Sequence, residues 1–347
     1  MKRAIKASLA VSSAIAFLIF AATFSPSRAA SDPKLIEAAK KEGAVTYYTT
    51  MTLSQSQKVV DKFQEKYPFI KAELFRTGGD PLLNKIQTEA RGGLYAWDVV
   101  SGRGEMVLPL MEDKLLAPYR SPESKFISSD LVDNQNYWTA YYVNPYVLGY
   151  NTKRVKKDEV PRTYEDLLKP RWKGRKISID DEAYGLLSGL IKAWGKEKAV
   201  AYFKKLAAQE PVVMRGNTNR VQLAVAGEYD LIIAYAPTIQ RETSKGAPID
   251  WVPLEPAPVQ VNPAMLAARA PHPNAGKLFI DFLLSKEGQK MLGGFRRIPV
   301  REDVEPDPAR LFRGYKRIVE HPEEYKNFSE TVKLYREIFG LERVSGR

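Results

Sequence analysis

The chain has 347 residues, 27% of them charged, with no cysteine and a formal net charge of +12. The missing cysteines exclude a disulfide scaffold, a thiolate metal site, a cysteine nucleophile and a lipid-modified cysteine anchor. The positive charge is spread along the chain without a Lys/Arg block, so it suits an anionic ligand or membrane surface and equally an ordinary basic surface.

The first residues read as a secretory signal peptide. Lys2, Arg3 and Lys6 form a charged start, residues 9–22 an apolar run broken only by Ser12 and Ser13, and Ser27-Arg28-Ala29 a small-residue cleavage site. The apolar run is about 14 residues, short of the roughly 20 needed to span a bilayer. Cleavage near Ala29 places the mature chain in the periplasm, where genomic DNA is absent and nucleic acid is not an expected partner. The remaining length exceeds what one core usually serves, so two structural units are expected.

From there, short β-type runs alternate with amphipathic helical segments. Residues 32–41 predict a helix stopped by Gly43, and 44–48 a strand. Residues 54–66 predict a helix with the buried stripe Val59, Val60 and Phe63, ended by Pro68. A strand follows at 70–75, then a helix capped by Asp80 with Pro81 in its first turn. Residues 97–100 form a third strand and 106–111 continue a helix. A second series has strand-like runs within 137–151 on either side of Pro145 and a short helix capped by Thr163. Strands are expected at 176–179, 211–214, 231–235, 249–253 and 259–268. Helices are expected at 183–194, 196–208, 218–226 and 275–284, with two further helical runs near 309–319 and 329–339. Such alternation implies a largely parallel sheet covered on both faces.

Two stretches carry a family resemblance. One holds Pro161, Thr163, Asp166-Leu167-Leu168, Pro170 and Trp172-Lys173-Gly174. The other runs from Asn274 through Leu278-Phe279-Ile280-Asp281-Phe282-Leu283-Leu284-Ser285 to Glu287-Gly288-Gln289. With weaker echoes at Tyr150-Asn151-Thr152 and Val225-Ala226-Gly227-Glu228, they resemble periplasmic solute-binding proteins of the ferric-iron-binding type over roughly residues 44–292. The resemblance implies a two-lobed α/β periplasmic binding protein fold of type II, each lobe a mostly parallel sheet flanked by helices and joined by crossing strands. It also implies a monomer that delivers a small-molecule ligand to an ABC permease in the inner membrane. The expected division is a signal peptide at 1–29, lobe 1 at 30–140 plus 258–300, lobe 2 at 141–257, and a C-terminal helical segment at 301–347. Both long motifs also read as structure: Thr163 with Asp166 is close to a capping box, and Leu278, Phe279, Phe282 and Leu283 form a core stripe.

In open parallel sheets, ligands bind beyond the carboxyl ends of strands, where helix N-termini offer free N–H groups. The candidate ligand-binding residues are Thr50 after the first strand, Thr77, Gly78 and Gly79 after the second, and Arg103 after the third. Tyr142 and Asn144 lie on a crossing strand, and Tyr184, Asn217 and Tyr235 follow strands of the second series. Thr77-Gly78-Gly79 reads as an anion-holding nest or as a tight turn, Arg103 as a bidentate anion contact or a solvated arginine, and Asn217 as a contact or an N-cap. The ferric proteins of the resembled family use a tandem tyrosine pair, which here falls at Pro237-Thr238 with Tyr235 the nearby phenol. A small anionic organic solute, such as a phosphonate, sugar phosphate or carboxylate, is therefore expected ahead of ferric iron. A ligand-bound partner of a membrane sensor kinase is a further alternative. No cofactor is expected, no metal site is assigned, and no nucleophile elbow or nucleotide-binding glycine pattern points to an enzyme.

Overall fold

The computed structural model describes residues 32–322 and 328–341; the expected signal peptide lies outside the described residues. The chain opens with α1 (Pro33–Glu42), β1 (Ala44–Thr49), α2 (Leu53–Lys66), β2 (Lys71–Arg76), α3 (Gly79–Arg91), β3 (Val99–Ser101), α4 (Val107–Glu112) and β4 (Leu116–Ala117). Asp32 caps α1 by accepting from the Lys34 N–H, and Gly43 closes it in the left-handed region at φ 71°. The long strand β5 (Thr139–Asn151) follows, then β6 (Ile177–Ile179), α5 (Tyr184–Trp194), α6 (Lys196–Ala207), β7 (Val212–Val213), α7 (Asn217–Ala226), β8 (Leu231–Tyr235), α8 (Ala236–Thr243) and β9 (Ile249–Val252). The last elements are β10 (Ala257–Ala267), α9 (Pro273–Leu284), α10 (Lys286–Gly294), β11 (Ile298–Pro299), β12 (Arg317–Glu320) and α11 (Phe328–Ile338).

The strand order is β2-β1-β3-β10-β5-β8-β6-β7. At one end, β1 runs parallel to both β2 and β3; at the other, β6 runs parallel to β7 and β8. Between these two sections lie β10 and β5, antiparallel to each other from Val259↔Pro145 to Ala264↔Thr139. Past Pro145, β5 leaves β10 and pairs with β8 from Tyr146↔Tyr235 onward and with β9. All 13 residues of β5 and all 11 of β10 are buried, the polar Asn144, Asn151, Gln260 and Asn262 among them. One core cluster joins Tyr47, Phe63, Phe279 and Phe282 of the first section and continues into the second through Val221, Ile232, Ile239 and Trp251. A second cluster joins Leu148, Ile179, Leu187, Phe203 and Tyr335 in the second section. Among the described residues no helix is long and apolar enough to cross a membrane.

Both resembled motifs serve the fold. The Thr163 hydroxyl accepts from the Asp166 N–H at 3.2 Å while the Asp166 carboxylate accepts from the Thr163 N–H at 3.0 Å, the reciprocal capping box. Leu167 and Trp172 are buried. On α9, Leu278, Phe279, Phe282 and Leu283 are all buried, and the Ser285 hydroxyl caps α10 by accepting from the Gly288 N–H at 3.1 Å.

Several expectations are corrected. α3 is capped by Gly78, not Asp80, because the Gly78 carbonyl accepts the first helical bond from the Leu82 N–H and Asp80 falls inside the first turn. Likewise Gly216 caps α7, and Asn217 is its first residue. Pro145 does not divide the crossing strand, since it sits where β5 exchanges β10 for β8 as its partner. α8 is a helix to which the sequence pattern assigns no element, although Pro237 in its first turn is a helix-start signal. The C-terminal segment is not wholly helical: in the run at 309–319 only Ala309–Leu311 forms a 3-10 turn, and the β-branched Ile318 and Val319 pair in parallel with β10.

Gly288 has a steric reason. A Cβ there would lie 2.2 Å from the Phe282 carbonyl oxygen and 2.9 Å from that of Leu283. Gly288→Ala is expected to lower unfolding stability by about 1–3 kcal/mol through overpacking against rigid backbone, measured by urea denaturation.

Candidate functional site

A cleft of about 530 Å³ opens between the two sections. The loop after β1 brings Thr50 and Thr52, the β2–α3 turn brings Arg76, Thr77, Gly78 and Gly79, and the residues after β3 bring Arg103. The facing wall is built from Asp180 and Glu182 after β6, residues 215–219 at the start of α7, and Tyr235, Thr238 and Arg241 at the end of β8 and in α8. The crossing strands supply Tyr142 and Asn144 from β5 and Gln260 and Asn262 from β10, and Arg297 stands before β11.

Thr50, Thr77, Gly78, Gly79, Arg103, Tyr142, Asn144, Asn217 and Tyr235 thus all line this cleft. Tyr184 is the exception. It begins α5, is 1% exposed, and packs its ring edge-on against Tyr335 of α11 at 5.4 Å. The loop after β6 turns Asp180 and Glu182 to the cleft and sends the next side chains into the core.

Asp180 organises the second wall. Its carboxylate accepts from the backbone N–H of Glu182 at 3.1 Å and of Gly216 at 3.2 Å, from Asn217 Nδ2 at 3.3 Å and from Arg220 Nη2 at 3.1 Å. Arg220 is fully buried and also donates to the Ile233 carbonyl at 3.0 Å and to Asn217 Oδ1 at 3.1 Å. The Tyr335 hydroxyl donates to the Asp180 carbonyl at 2.6 Å. One buried ion pair therefore ties together the loop after β6, the start of α7, the end of β8 and α11.

Glu182 is clamped by two arginines: Arg103 Nη2 approaches at 2.6 Å from the first section and Arg215 Nη2 at 2.8 Å from its own. Burial raises the Glu182 carboxyl pKa and Arg103 opposes the rise. Across the floor, Tyr235 Oη donates to Gln260 Oε1 at 2.7 Å, and Gln260 Nε2 donates to buried Glu105 at 3.0 Å. Tyr146 and Tyr235 share a hydroxyl contact of 3.2 Å. Burial pushes both phenols above their ordinary range.

Five arginines and two carboxylates line the cleft, and both carboxylates already hold guanidinium partners. Arg241 and Arg297 make no ion pair among the described residues. The candidate set from sequence lacks these two and the β10 pair Gln260 and Asn262. A signal existed for β10: polar residues two apart in an apolar strand share one face, as do Tyr142 and Asn144 on β5. Arg241 lies in a segment to which the sequence pattern assigns no element.

A cleft between two α/β sections, floored by shared strands and lined with hydrogen-bond donors, defines a binding protein for a small solute. The model of the bacterial extracellular solute-binding proteins matches residues 98–315, and the chain belongs to that family, whose members are solute-binding components of ABC importers. It is 24% identical over 267 residues to an Fe(3+)-binding periplasmic protein of Serratia marcescens, covering 74% of this chain and 78% of the relative. Among solved structures it is similar to the periplasmic binding protein AfuA of Actinobacillus pleuropneumoniae with fructose-6-phosphate bound. That likeness has a TM-score of 0.76 and 24% identity, covering 86% of this chain and 99% of the other. It is also similar to iron-bound HitA of Pseudomonas aeruginosa, at a TM-score of 0.74 and 22% identity over 85% and 99%.

Arg220→Met leaves the Asp180 carboxylate buried without its counter-charge. The expected loss is about 3–5 kcal/mol of unfolding free energy, read by urea denaturation, with the Asp180→Asn/Arg220→Met double variant losing less than the sum of the singles.

Proposed function

We propose that this chain captures a small anionic organic solute in the cleft between two lobes and delivers it to an ABC permease in the inner membrane. The observation that carries the reading is the cationic excess of the cleft: five arginines against two carboxylates that are themselves already paired. Such a site leaves guanidinium forks for a carboxylate, phosphate or phosphonate. The N-termini of α3, α7 and α8 also lie at the cleft, adding N–H donors and partial positive charge. In this reading Thr50, Thr77, Gly78, Gly79, Arg103, Tyr142, Asn144, Asn217 and Tyr235 contact the solute. Residues 30–140 with 258–300 form one lobe, 141–257 the other, and the crossing strands bend between them. Hinge closure around a ligand is the motion general to periplasmic binding proteins as a class.

Ferric iron is the second reading, favoured by the iron-binding names of relatives. A hard ferric ion is best served by anionic oxygens. Here Tyr235 spends its proton on Gln260, and burial resists ionising either Tyr235 or Tyr146. The cleft chemistry supports the organic anion first.

Thermal unfolding of the purified chain separates the two. A phosphorylated or carboxylate solute at about 100 times its dissociation constant is expected to add about 2.7 kcal/mol. Arg103→Ala is expected to weaken that binding by about 1–3 kcal/mol. A shift produced by a ferric chelate, and by neither its chelator nor any organic anion, would reverse the ranking.

A further inference from the structure

Arg241 and Arg297 both line the cleft, on elements of opposite sections. Arg241 belongs to α8, which packs on β8 and β9 of the second section. Arg297 precedes β11, whose Ile298 and Pro299 pair with Val143 and Tyr142 on the first-section half of β5. Arg297 is 7% exposed, donates its Nε to Gln55 of α2 at 2.7 Å, and lays its guanidinium over the Tyr142 ring at 4.4 Å. Those contacts fix its position and supply no negative charge. Arg241 has no hydrogen-bond or ion-pair partner among the described residues. Burial, and then the charge of Arg297, lower its pKa to about 10.

Arg241 is half-buried and Arg297 buried, and two like charges with no ion pair among the described residues are an unfavourable arrangement that an anion between them would reverse. A further donor stands beside them. Asn262, the strand partner of Tyr142, is 2% exposed, and its Nδ2 is buried without a hydrogen-bond partner among the described residues. An orphaned buried donor costs free energy until an acceptor meets it. The cleft carboxylates are engaged elsewhere, with Arg103, Arg215 and Arg220.

We propose that Arg241 and Arg297 form a two-guanidinium clamp for a dianionic tetrahedral group, the phosphoryl or phosphonyl end of the solute. Neutralising their mutual repulsion then draws the two sections together. The proposal rests on the anionic-solute reading above and assigns the class of anion and the residues that hold it. Two guanidiniums match the charge of a dianion, where one carboxylate would leave a net positive charge. Because the arginines come from opposite sections, the anion lowers the energy of the closed arrangement more than that of the open one, which is the condition for a ligand to shift a conformational equilibrium.

The test uses the exported chain, dialysed free of bound solute, with a hexose 6-phosphate, methylphosphonate and a hexuronate as probes. Titration calorimetry reads Kd, and solution X-ray scattering reads the radius of gyration. One of the two phosphorus probes is expected to bind about 10-fold or more tightly than the hexuronate, and which one distinguishes an ester phosphate from a phosphonate. R241Q and R297Q are each expected to weaken that binding by about 10-fold or more, the loss of one charged hydrogen bond. In wild type that probe reduces the radius of gyration; in R241Q the radius stays unchanged. Solute-free R241Q is expected to melt at or above the wild-type temperature, because a like-charge repulsion has been removed, and this also shows that the variant folds. If wild type binds a phosphorus probe and R241Q binds it equally well, the clamp is overturned and the anionic reading stands. Equal or tighter binding of hexuronate overturns the dianion assignment. A wild-type chain that binds none of these anions removes the anionic reading and the clamp with it.

Discussion

The pairing of β5 with β10 is the constraint on which the structure depends. Both strands are buried along their whole length, and together they carry the sheet from one parallel section to the other. Their backbones are tied by an antiparallel ladder from Val259↔Pro145 to Ala264↔Thr139. The larger core cluster runs along this pair from one section into the other. The strands also form the cleft floor, because Tyr142, Asn144, Gln260 and Asn262 recur at every second position and share a face.

Around that floor, charge is arranged in two ways. In the second wall a fully buried pair, Asp180 with Arg220, is saturated by hydrogen bonds and acts as a brace, reaching as far as Tyr335 on α11. Burying such a pair is costly, and its value here is positional: a single carboxylate fixes the backbone of two cleft loops. Nearer the solvent, Arg103 spans the cleft to Glu182. Arg241 and Arg297 differ from these in making no ion pair among the described residues.

Much of the fold was legible because periodicity and caps are local signals. Asp32 and Gly43 bound α1, and Thr163 with Asp166 formed the box their spacing implied. The stripe of Leu278, Phe279, Phe282 and Leu283 is buried. Misreadings came where tertiary partners overrode local cues. Pro145 reads as a break, yet it sits where the strand changes neighbours. Ile318 and Val319 fit a helical run and are instead captured by the edge of β10. The lining of the cleft was legible at strand ends, since the loops after β1, β2 and β3 and after β8 all reach it. Tyr184 failed because its loop turns before reaching it.

By itself, the sequence determined the alternation of strands and helices, the family likeness carried by residues 160–175 and 274–289, and the loops from which a site would be built. These are properties of neighbours along the chain, set by backbone propensity and by the spacing of apolar side chains. Only the tertiary structure decided that Asp180 is spent on Arg220, that Glu182 is held by arginines from both sides, and that Arg241 and Arg297 line the same cleft. The reason is that electrostatics depends on distance through space, and those residues lie far apart in the chain until β5 and β10 pair.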